Sequence, residues 1–152
     1  KFDLVYFLDF GSYSLFYLNV LLKNNKNTTF AVANKELIIA GGNYLIKKIN
    51  QTQNKFIPLD SEHFSLIKSN INNDNVKKIY ITASGGPFYF KKNKNLNNVD
   101  LSEVLNHPKW KMGINNLIDS SNFINKLLEI YELNSIFNID LDKIDFLVSQ
   151  NA

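Results

Sequence analysis

Three acidic side chains are placed where they could bind one hard metal ion. Asp60 and Glu62 follow a short apolar segment, and residues two apart on an extended backbone point to the same side. Their carboxylate oxygens suit Mg²⁺ or Mn²⁺, and Glu129 could supply a third carboxylate from a predicted helix. The alternative is a helix cap, in which Asp60 or Ser61 accepts hydrogen bonds from free backbone N–H groups. Taken alone, these residues favour the cap.

Polar residues at the start of the helix that carries Glu129 could bind an anion. Asn125 lies four residues before Glu129 and Lys126 lies three before it, so all three share one helix face. A phosphate could then contact Ser120, Asn125 and Lys126. The alternative is a capped helix with an ordinary Lys–Glu surface pair, which these residues alone favour.

Three further segments combine chemically useful residues with unusual backbone. Ser84-Gly85-Gly86-Pro87 leaves a predicted strand through two glycines, so backbone N–H groups could approach a phosphate, although most such segments are simple turns. His107–Gly113 holds Trp110 and Met112, which predict either a lid over a ligand or plain core residues. Asn34-Lys35-Glu36 lies at a strand-to-helix turn, where open α/β sheets bind ligands, or is only a helix start.

The hydrophobic pattern predicts strands alternating with helices. Strands are predicted at Asp3–Leu8, Thr28–Ala33, Lys55–Leu59, Val76–Ala83 and Ile144–Val148, and helices at Tyr13–Leu22, Lys35–Ile49, Ser61–Lys68, Leu101–Leu105 and Asp119–Phe137. Asn34 is placed to cap the second helix. This alternation predicts an α/β fold with a mostly parallel sheet.

Composition excludes several classes of protein. Hydrophobic residues make up 45% of the 152 residues, enough for a packed core. The absence of Cys excludes disulfides, zinc–thiolate sites and a cysteine nucleophile. Without Arg, a net charge of +3 is only a weak indication of nucleic-acid binding. No apolar run reaches the roughly 18 residues that span a membrane. The first residue is not Met and no signal peptide is recognisable, so we interpret the chain as a fragment.

Five segments, in this order, resemble 1-deoxy-D-xylulose 5-phosphate reductoisomerases. The matching strings are Ala33-Asn34-Lys35-Glu36, Ile57-Pro58-Leu59-Asp60-Ser61-Glu62-His63, Thr82-Ala83-Ser84-Gly85-Gly86-Pro87-Phe88, His107-Pro108-Lys109-Trp110-Lys111-Met112-Gly113, and Asp119-Ser120 through Asn125-Lys126 and Glu129. The resemblance as a whole covers essentially the whole chain. The sequence departs from the family pattern near residues 121–127 and 148–151, but these departures replace none of the matched ligands.

The resemblance implies a role for each matched residue. It places the divalent metal on Asp60, Glu62 and Glu129. It implies that Lys35, Glu62 and His107 act in catalysis. Its substrate contacts are Lys35, Ser61, Glu62, Ser84, His107, Ser120, Asn125, Lys126 and Glu129. Its cofactor contacts are Asn34, Glu36 and Gly113, and its lid residues are Trp110 and Met112, in a loop at about residues 89–113.

The resemblance also implies an activity and a domain organisation. Residues 1–34 would end a Rossmann-type NADPH-binding domain, and residues 35–152 would form the α/β catalytic domain. The expected reaction converts 1-deoxy-D-xylulose 5-phosphate to 2-C-methyl-D-erythritol 4-phosphate in non-mevalonate isoprenoid biosynthesis, with NADPH and Mn²⁺, Mg²⁺ or Co²⁺. The chain holds no glycine-rich dinucleotide loop, so we expect it to be inactive alone.

Further expectations concern partners and location. The resemblance implies a phosphosugar substrate and a homodimer. We expect no nucleic-acid or membrane partner. The expected location is a bacterial cytoplasm or a plastid-type organelle. The alternative function is that of a degenerate, non-catalytic remnant that binds a metal, a phosphosugar or a partner protein.

Overall fold

Short strands and helices alternate along the chain. The computed structural model describes residues 1–89, 98–107, 111 and 113–149. The strands are β1 (Leu4–Phe7), β2 (Thr29–Val32), β3 (Lys55–Pro58), β4 (Ile79–Ala83) and β5 (Ile144–Val148). The helices are α1 (Ser14–Asn24), α2 (Lys35–Gln51), α3 (Ser61–Ile67), α4 (Leu101–Val104), α5 (Ile114–Ser121) and α6 (Ile124–Phe137), and a 3₁₀ turn spans Leu141–Lys143. Within the described ranges, no helix is long and apolar enough to cross a membrane.

All paired strands among the described residues run parallel, in two sheets. One sheet has the order β1-β2-β3, in which Thr29 of β2 pairs with Leu4 and with Lys55. In the other sheet, β4 pairs with β5 from Ile79 opposite Ile144 onward. The α/β fold with parallel strands that the sequence predicts is confirmed.

The chain divides into two compact units. The first holds residues 1–77 and 128–143, and the second holds the described residues between Lys78 and Leu127 and from Ile144 onward. Helix α6 therefore has its first turn in the second unit and the rest in the first. The predicted domain boundary after residue 34 stays a prediction.

The core of the first unit lies where α1 and α2 pack on the three-stranded sheet. Phe30 and Val32 of β2 and Leu18 of α1 are fully buried. On α2, the buried apolar residues are Leu37, Ile38, Leu45 and Ile49. Each such side chain contributes about 1.5–3 kcal/mol when fully buried, so this packing fixes the start of α2 and the residues there.

Asn34 caps α2, as its position in the sequence predicts. Its side-chain oxygen accepts a hydrogen bond from Leu37 N at 2.8 Å, and its amide nitrogen donates to Gly11 O at 2.9 Å. These bonds hold the strand-to-helix turn in place. They thereby fix the next residue, Lys35, which lies in the first turn of α2.

The second unit differs from the sequence prediction at its helices. A single helix was expected over Asp119–Phe137, but α5 ends at Ser121 and α6 begins at Ile124. Phe123 interrupts the helix with φ of 65°, and its ring stacks on Phe146 of β5 with 5.3 Å between centroids. This aromatic contact stabilises the break, because a bulky residue rarely adopts positive φ unless its surroundings hold it there.

Candidate functional site

Asp60 both caps α3 and faces an acidic cluster. The residue follows β3, and its Oδ1 accepts a hydrogen bond from Glu62 N at 3.2 Å. Its Oδ2 contacts Lys35 Nζ. The structure shows the helix cap, and the role of Asp60 as a metal ligand stays a prediction.

Three acidic side chains of the first unit converge. One carboxylate oxygen from each of Asp60, Glu62 and Glu129 lies within 4.8 Å of the others. Glu129 projects from α6 and its side chain is 3% exposed, whereas Glu62 is half-buried in the first turn of α3. Three hard oxygen donors at this spacing suit an octahedral divalent cation, with room left for other oxygen ligands.

Lys35 lies among the carboxylates of this cluster. Its Nζ contacts Asp60 Oδ2, and lies 3.5 Å from Glu129 Oε1 and 3.5 Å from Glu132 Oε2. Burial by itself lowers the pKa of the Lys35 ammonium, but attraction by Glu132, Asp60 and Glu129 outweighs burial and raises that pKa. Lys35 is therefore a permanent cation in this structure.

His63 is fully buried beside the cluster. Its Nε2 lies 3.0 Å from Glu129 O, and because a carbonyl only accepts, Nε2 carries the proton. Its Nδ1 lies 3.3 Å from Asp60 Oδ1 and 3.9 Å from Glu132 Oε2. Burial alone lowers the pKa of His63, but the bond to Asp60 and the charges of Glu132 and Asp60 raise it. Burial acts to raise the pKa of Asp60, but the hydrogen bond with His63 and the positive charge of Lys35 hold that pKa far below its usual range.

The sequence prediction assigned no role to His63 or Glu132. Glu132 is 1% exposed and lies three residues after Glu129 on α6, the spacing that puts two side chains on one helix face. His63 follows Asp60 at the same spacing in α3. These spacings were the available signal. The sequence could not show that α2, α3 and α6 bring the residues together.

Glu132 gives the structure a pH dependence that can be measured. Burial raises the pKa of Glu132 to about 7, a larger effect than the opposing charges of Lys35 and His63. The folded state thus holds a proton that the unfolded state, with an ordinary pKa near 4.5, releases. The resulting stabilisation is fully present below pH 4.5 and is lost as the pH rises through 7.

We expect Glu132→Gln to remove this dependence. Between pH 4.5 and pH 8 the wild type should lose about 3 kcal/mol more unfolding free energy than the variant, since Gln does not titrate. Urea unfolding across this pH range measures the difference. Glu103→Gln on α4 is the control and should follow the wild type. Parallel curves for wild type and Glu132→Gln would contradict the expectation.

The second unit contains a small pocket. It is lined by Ala83, Ser84, Gly85, Gly86, Ser120, Phe123, Asn125 and Lys126. Four of the substrate contacts that the resemblance implies (Ser84, Ser120, Asn125 and Lys126) therefore line one pocket. A lysine, an amide and two hydroxyls give hydrogen-bond donors of the kind that a phosphate accepts. His107 Nε2 lies 3.4 Å from Ser84 Oγ, which places this predicted substrate contact beside the pocket.

The two glycines after β4 are required by the backbone of the pocket. Gly85 and Gly86 have φ of 91° and 66°, in the region that side chains rarely adopt. A Cβ on Gly86 would also lie 2.6 Å from the backbone oxygen of Ser120. The turn can therefore approach α5 only because residue 86 has no side chain.

We expect Gly86→Ala to destabilise the protein by about 2 kcal/mol, from backbone strain and the contact with Ser120. Gly113→Ala is the matched control, because a Cβ there meets nothing within 4 Å. Urea unfolding of both variants is the measurement. Equal stability of the two would show that the turn tolerates a side chain.

The other residues for which the resemblance implies a role differ in burial and in contacts. Asn34 is 1% exposed and its side chain is engaged in the cap of α2, so its predicted cofactor contact stays a prediction. Glu36 is half-buried in the first turn of α2, and Gly113 is the N-cap of α5. Ser61 is exposed and donates to Glu62 Oε2 at 2.5 Å. Trp110, Met112 and much of the predicted lid lie outside the described residues.

Solved structures of reductoisomerases have this fold. A DOX-P reductoisomerase in complex with NADPH, fosmidomycin and magnesium aligns with a TM-score of 0.83 and 29% identity, over 98% of this chain and 39% of that one. The 1-deoxy-D-xylulose 5-phosphate reductoisomerase from Zymomonas mobilis, in complex with NADPH, aligns with a TM-score of 0.79 and 30% identity, over 98% of this chain and 38% of that one.

Sequence comparison defines the family. The 1-deoxy-D-xylulose 5-phosphate reductoisomerase of Pelagibacter ubique is 43% identical over 122 residues, which are 79% of this chain and 31% of that protein. The chain thus spans about a third of the length of the curated relatives that it matches. Residues 56–137 match the 1-deoxy-D-xylulose 5-phosphate reductoisomerase C-terminal domain, and the chain belongs to this family.

Proposed function

We propose that this chain forms the metal- and substrate-binding part of an NADPH-dependent reductoisomerase. The reaction is the conversion of 1-deoxy-D-xylulose 5-phosphate to 2-C-methyl-D-erythritol 4-phosphate. The observation that carries the proposal is the convergence of Asp60, Glu62 and Glu129 within 4.8 Å in a chain of this family. The pocket around Ser84, Ser120 and Lys126 adds a binding site for the phosphate of the substrate.

The side chains of the cluster fit a divalent metal. Asp60, Glu62 and Glu129 would hold it, and a buried atom nearby, Glu132 Oε1, has no hydrogen-bond partner within the described part of the chain. Mn²⁺, Mg²⁺ and Co²⁺ all accept hard oxygen donors. When bound, the metal would act as a Lewis acid on substrate oxygens and NADPH would supply the hydride.

The side chains of this chain have separate tasks in the proposed reaction. Lys35, fixed as a cation, would donate hydrogen bonds to a substrate hydroxyl and stabilise negative charge on it. Ser61 and Glu62 would contact the sugar chain, and Glu62 and His107 would complete the catalytic set with Lys35. Lys35, Ser61 and Glu62 lie at helix starts that follow strands, where α/β proteins place ligands, whereas His107 follows α4.

The phosphate is assigned to the pocket of the second unit. Lys126 would form a charge-assisted hydrogen bond with it, and Ser84, Ser120 and Asn125 would add neutral ones. Asn34, Glu36 and Gly113 are assigned to the nicotinamide cofactor, and Trp110 and Met112 to a lid. Family membership supports these assignments.

Several finer features are proposed on family membership alone. They are a homodimer, a bacterial cytoplasmic or plastid-type location, and the division into an NADPH-binding part (residues 1–34) and a catalytic part (residues 35–152). Analytical ultracentrifugation tests the dimer, because the measured molecular mass should be twice that of the monomer.

The proposal is tested by two titrations of the chain. Mn²⁺ binding is followed by the loss of the free-ion EPR signal, and fosmidomycin binding is followed by calorimetry with and without Mg²⁺. We expect one Mn²⁺ per chain and tighter fosmidomycin binding with Mg²⁺ than without it. A chain that binds neither would favour the non-catalytic remnant. Mg²⁺ independence of fosmidomycin binding would contradict the assigned metal site.

A further inference from the structure

Glu132 is outside the proposed metal ligands but contacts the same ammonium as two of them. Its Oε2 lies 3.5 Å from Lys35 Nζ, which also lies 3.5 Å from Glu129 Oε1 and contacts Asp60 Oδ2. All of these side chains belong to the first unit. Lys35 therefore shares its carboxylates with the ion that Asp60 and Glu129 are proposed to bind.

A divalent cation bound at Asp60 and Glu129 would compete with the Lys35 ammonium for the same two carboxylates. The two cations repel each other, and the repulsion is weakly screened where side chains are only 13% exposed, as for Lys35 and Asp60, or less. Metal binding at Asp60 and Glu129 would therefore favour movement of the Lys35 ammonium toward Glu132. Of the three carboxylates that Lys35 contacts here, Glu132 is the one that the metal does not take.

Glu132 has an acceptor atom available for this exchange. Its Oε1 is buried without a hydrogen-bond partner among the described residues, which is uncommon because such an atom has lost its bonds to water. An ammonium has three N–H donors, so Lys35 can donate to both oxygens of one carboxylate. When the Lys35 ammonium leaves Asp60, the N–H groups that it donated there become available to Glu132 Oε1.

We propose that Glu132 is a positioning residue, which holds Lys35 when a divalent cation occupies Asp60 and Glu129. Lys35 then changes partner but stays beside the metal, where the proposed reaction needs it. Glu132 acts on the metal and on the substrate only through Lys35. This inference rests on the proposed function, since it requires the metal site.

A double-mutant cycle separates this role from a simple charge effect. Mn²⁺ dissociation constants are measured by EPR at pH 8 for the wild-type chain, Glu132→Gln, Lys35→Met and the double variant. We expect Glu132→Gln to weaken Mn²⁺ binding about tenfold, as loss of a residue that supports a metal site does. Lys35→Met should tighten binding, because no ammonium has to be displaced.

The decisive comparison is the effect of Glu132→Gln in the Lys35→Met background. It should shrink to about twofold or less, since the residue through which Glu132 acts is gone. An equal effect in both backgrounds would overturn the proposal. Glu132 would then affect Mn²⁺ binding only through its charge, and not through Lys35. A wild-type chain that binds no Mn²⁺ would overturn the proposed function as well, so the two failures are distinguishable.

A second measurement needs no variant at residue 132. In ¹⁵N-labelled wild-type chain, the Lys35 ammonium is followed by NMR as Mg²⁺ is added, with Lys35→Arg used only to assign the signal. We expect the signal to shift and to stay in slow exchange with water, because Glu132 keeps the group buried. An unchanged signal, or one lost through rapid exchange with water, would overturn the proposal.

Discussion

Asp60→Asn should weaken Mn²⁺ binding by about a hundredfold or more while the chain still folds. Affinities of carboxylate sites change by orders of magnitude with the number of charged ligands, and this substitution removes one of three. Asn is as good an N-cap as Asp, so the bond from Glu62 N that starts α3 is kept. Lys35 retains Glu129 and Glu132 as counter-charges. EPR titration with Mn²⁺ measures the change.

Asp74→Asn is the matched control for this substitution. Asp74 is exposed in the turn between α3 and β4, so the variant loses the same charge away from the cluster. Its Mn²⁺ affinity should equal that of the wild type. Similar affinities for Asp60→Asn and Asp74→Asn would show that Asp60 is only a helix cap.

Lys126→Ala should lower the affinity for fosmidomycin by about tenfold or more. A charge-assisted hydrogen bond to the phosphonate is worth about 1.5–3 kcal/mol, and the chain contains no Arg that could replace it. The unfolding free energy should change by only about 0.5 kcal/mol, as expected for a half-exposed lysine. Calorimetry with Mg²⁺ present and urea unfolding give the two numbers.

Lys47→Ala serves as the control, because Lys47 is exposed on α2 and far from the pocket in sequence. It should bind fosmidomycin as the wild type does. A large drop in the stability of Lys126→Ala with unchanged affinity would instead assign Lys126 to the structure of the helix.

The parts of the fold that depend on local pattern were predictable. The cap of α2 at Asn34 and the burial of its apolar residues are encoded in neighbouring residues, and both are observed, although Gly42, with φ of 50°, kinks the helix. The break before α6 was not predictable. Phe123 is held at positive φ by stacking on Phe146, which is more than twenty residues away in the chain.

The candidate site was predictable to a similar extent. Resemblance to a known family gave Asp60, Glu62 and Glu129, and the structure brings their oxygens together. Glu132 has no motif of its own in the sequence. Its importance comes from a contact with Lys35, almost a hundred residues earlier, which only the packing of α2 against α6 side chains creates.

Lys35 also bears on whether the protein can fold before it binds the proposed metal. Because Lys35 and His63 already offset the charge of the buried carboxylates, the acidic cluster can assemble during folding without a cation. Structural zinc domains behave in the opposite way and remain unfolded until the ion arrives. At the proposed metal site, a chelator should therefore remove a bound ion and leave the fold intact.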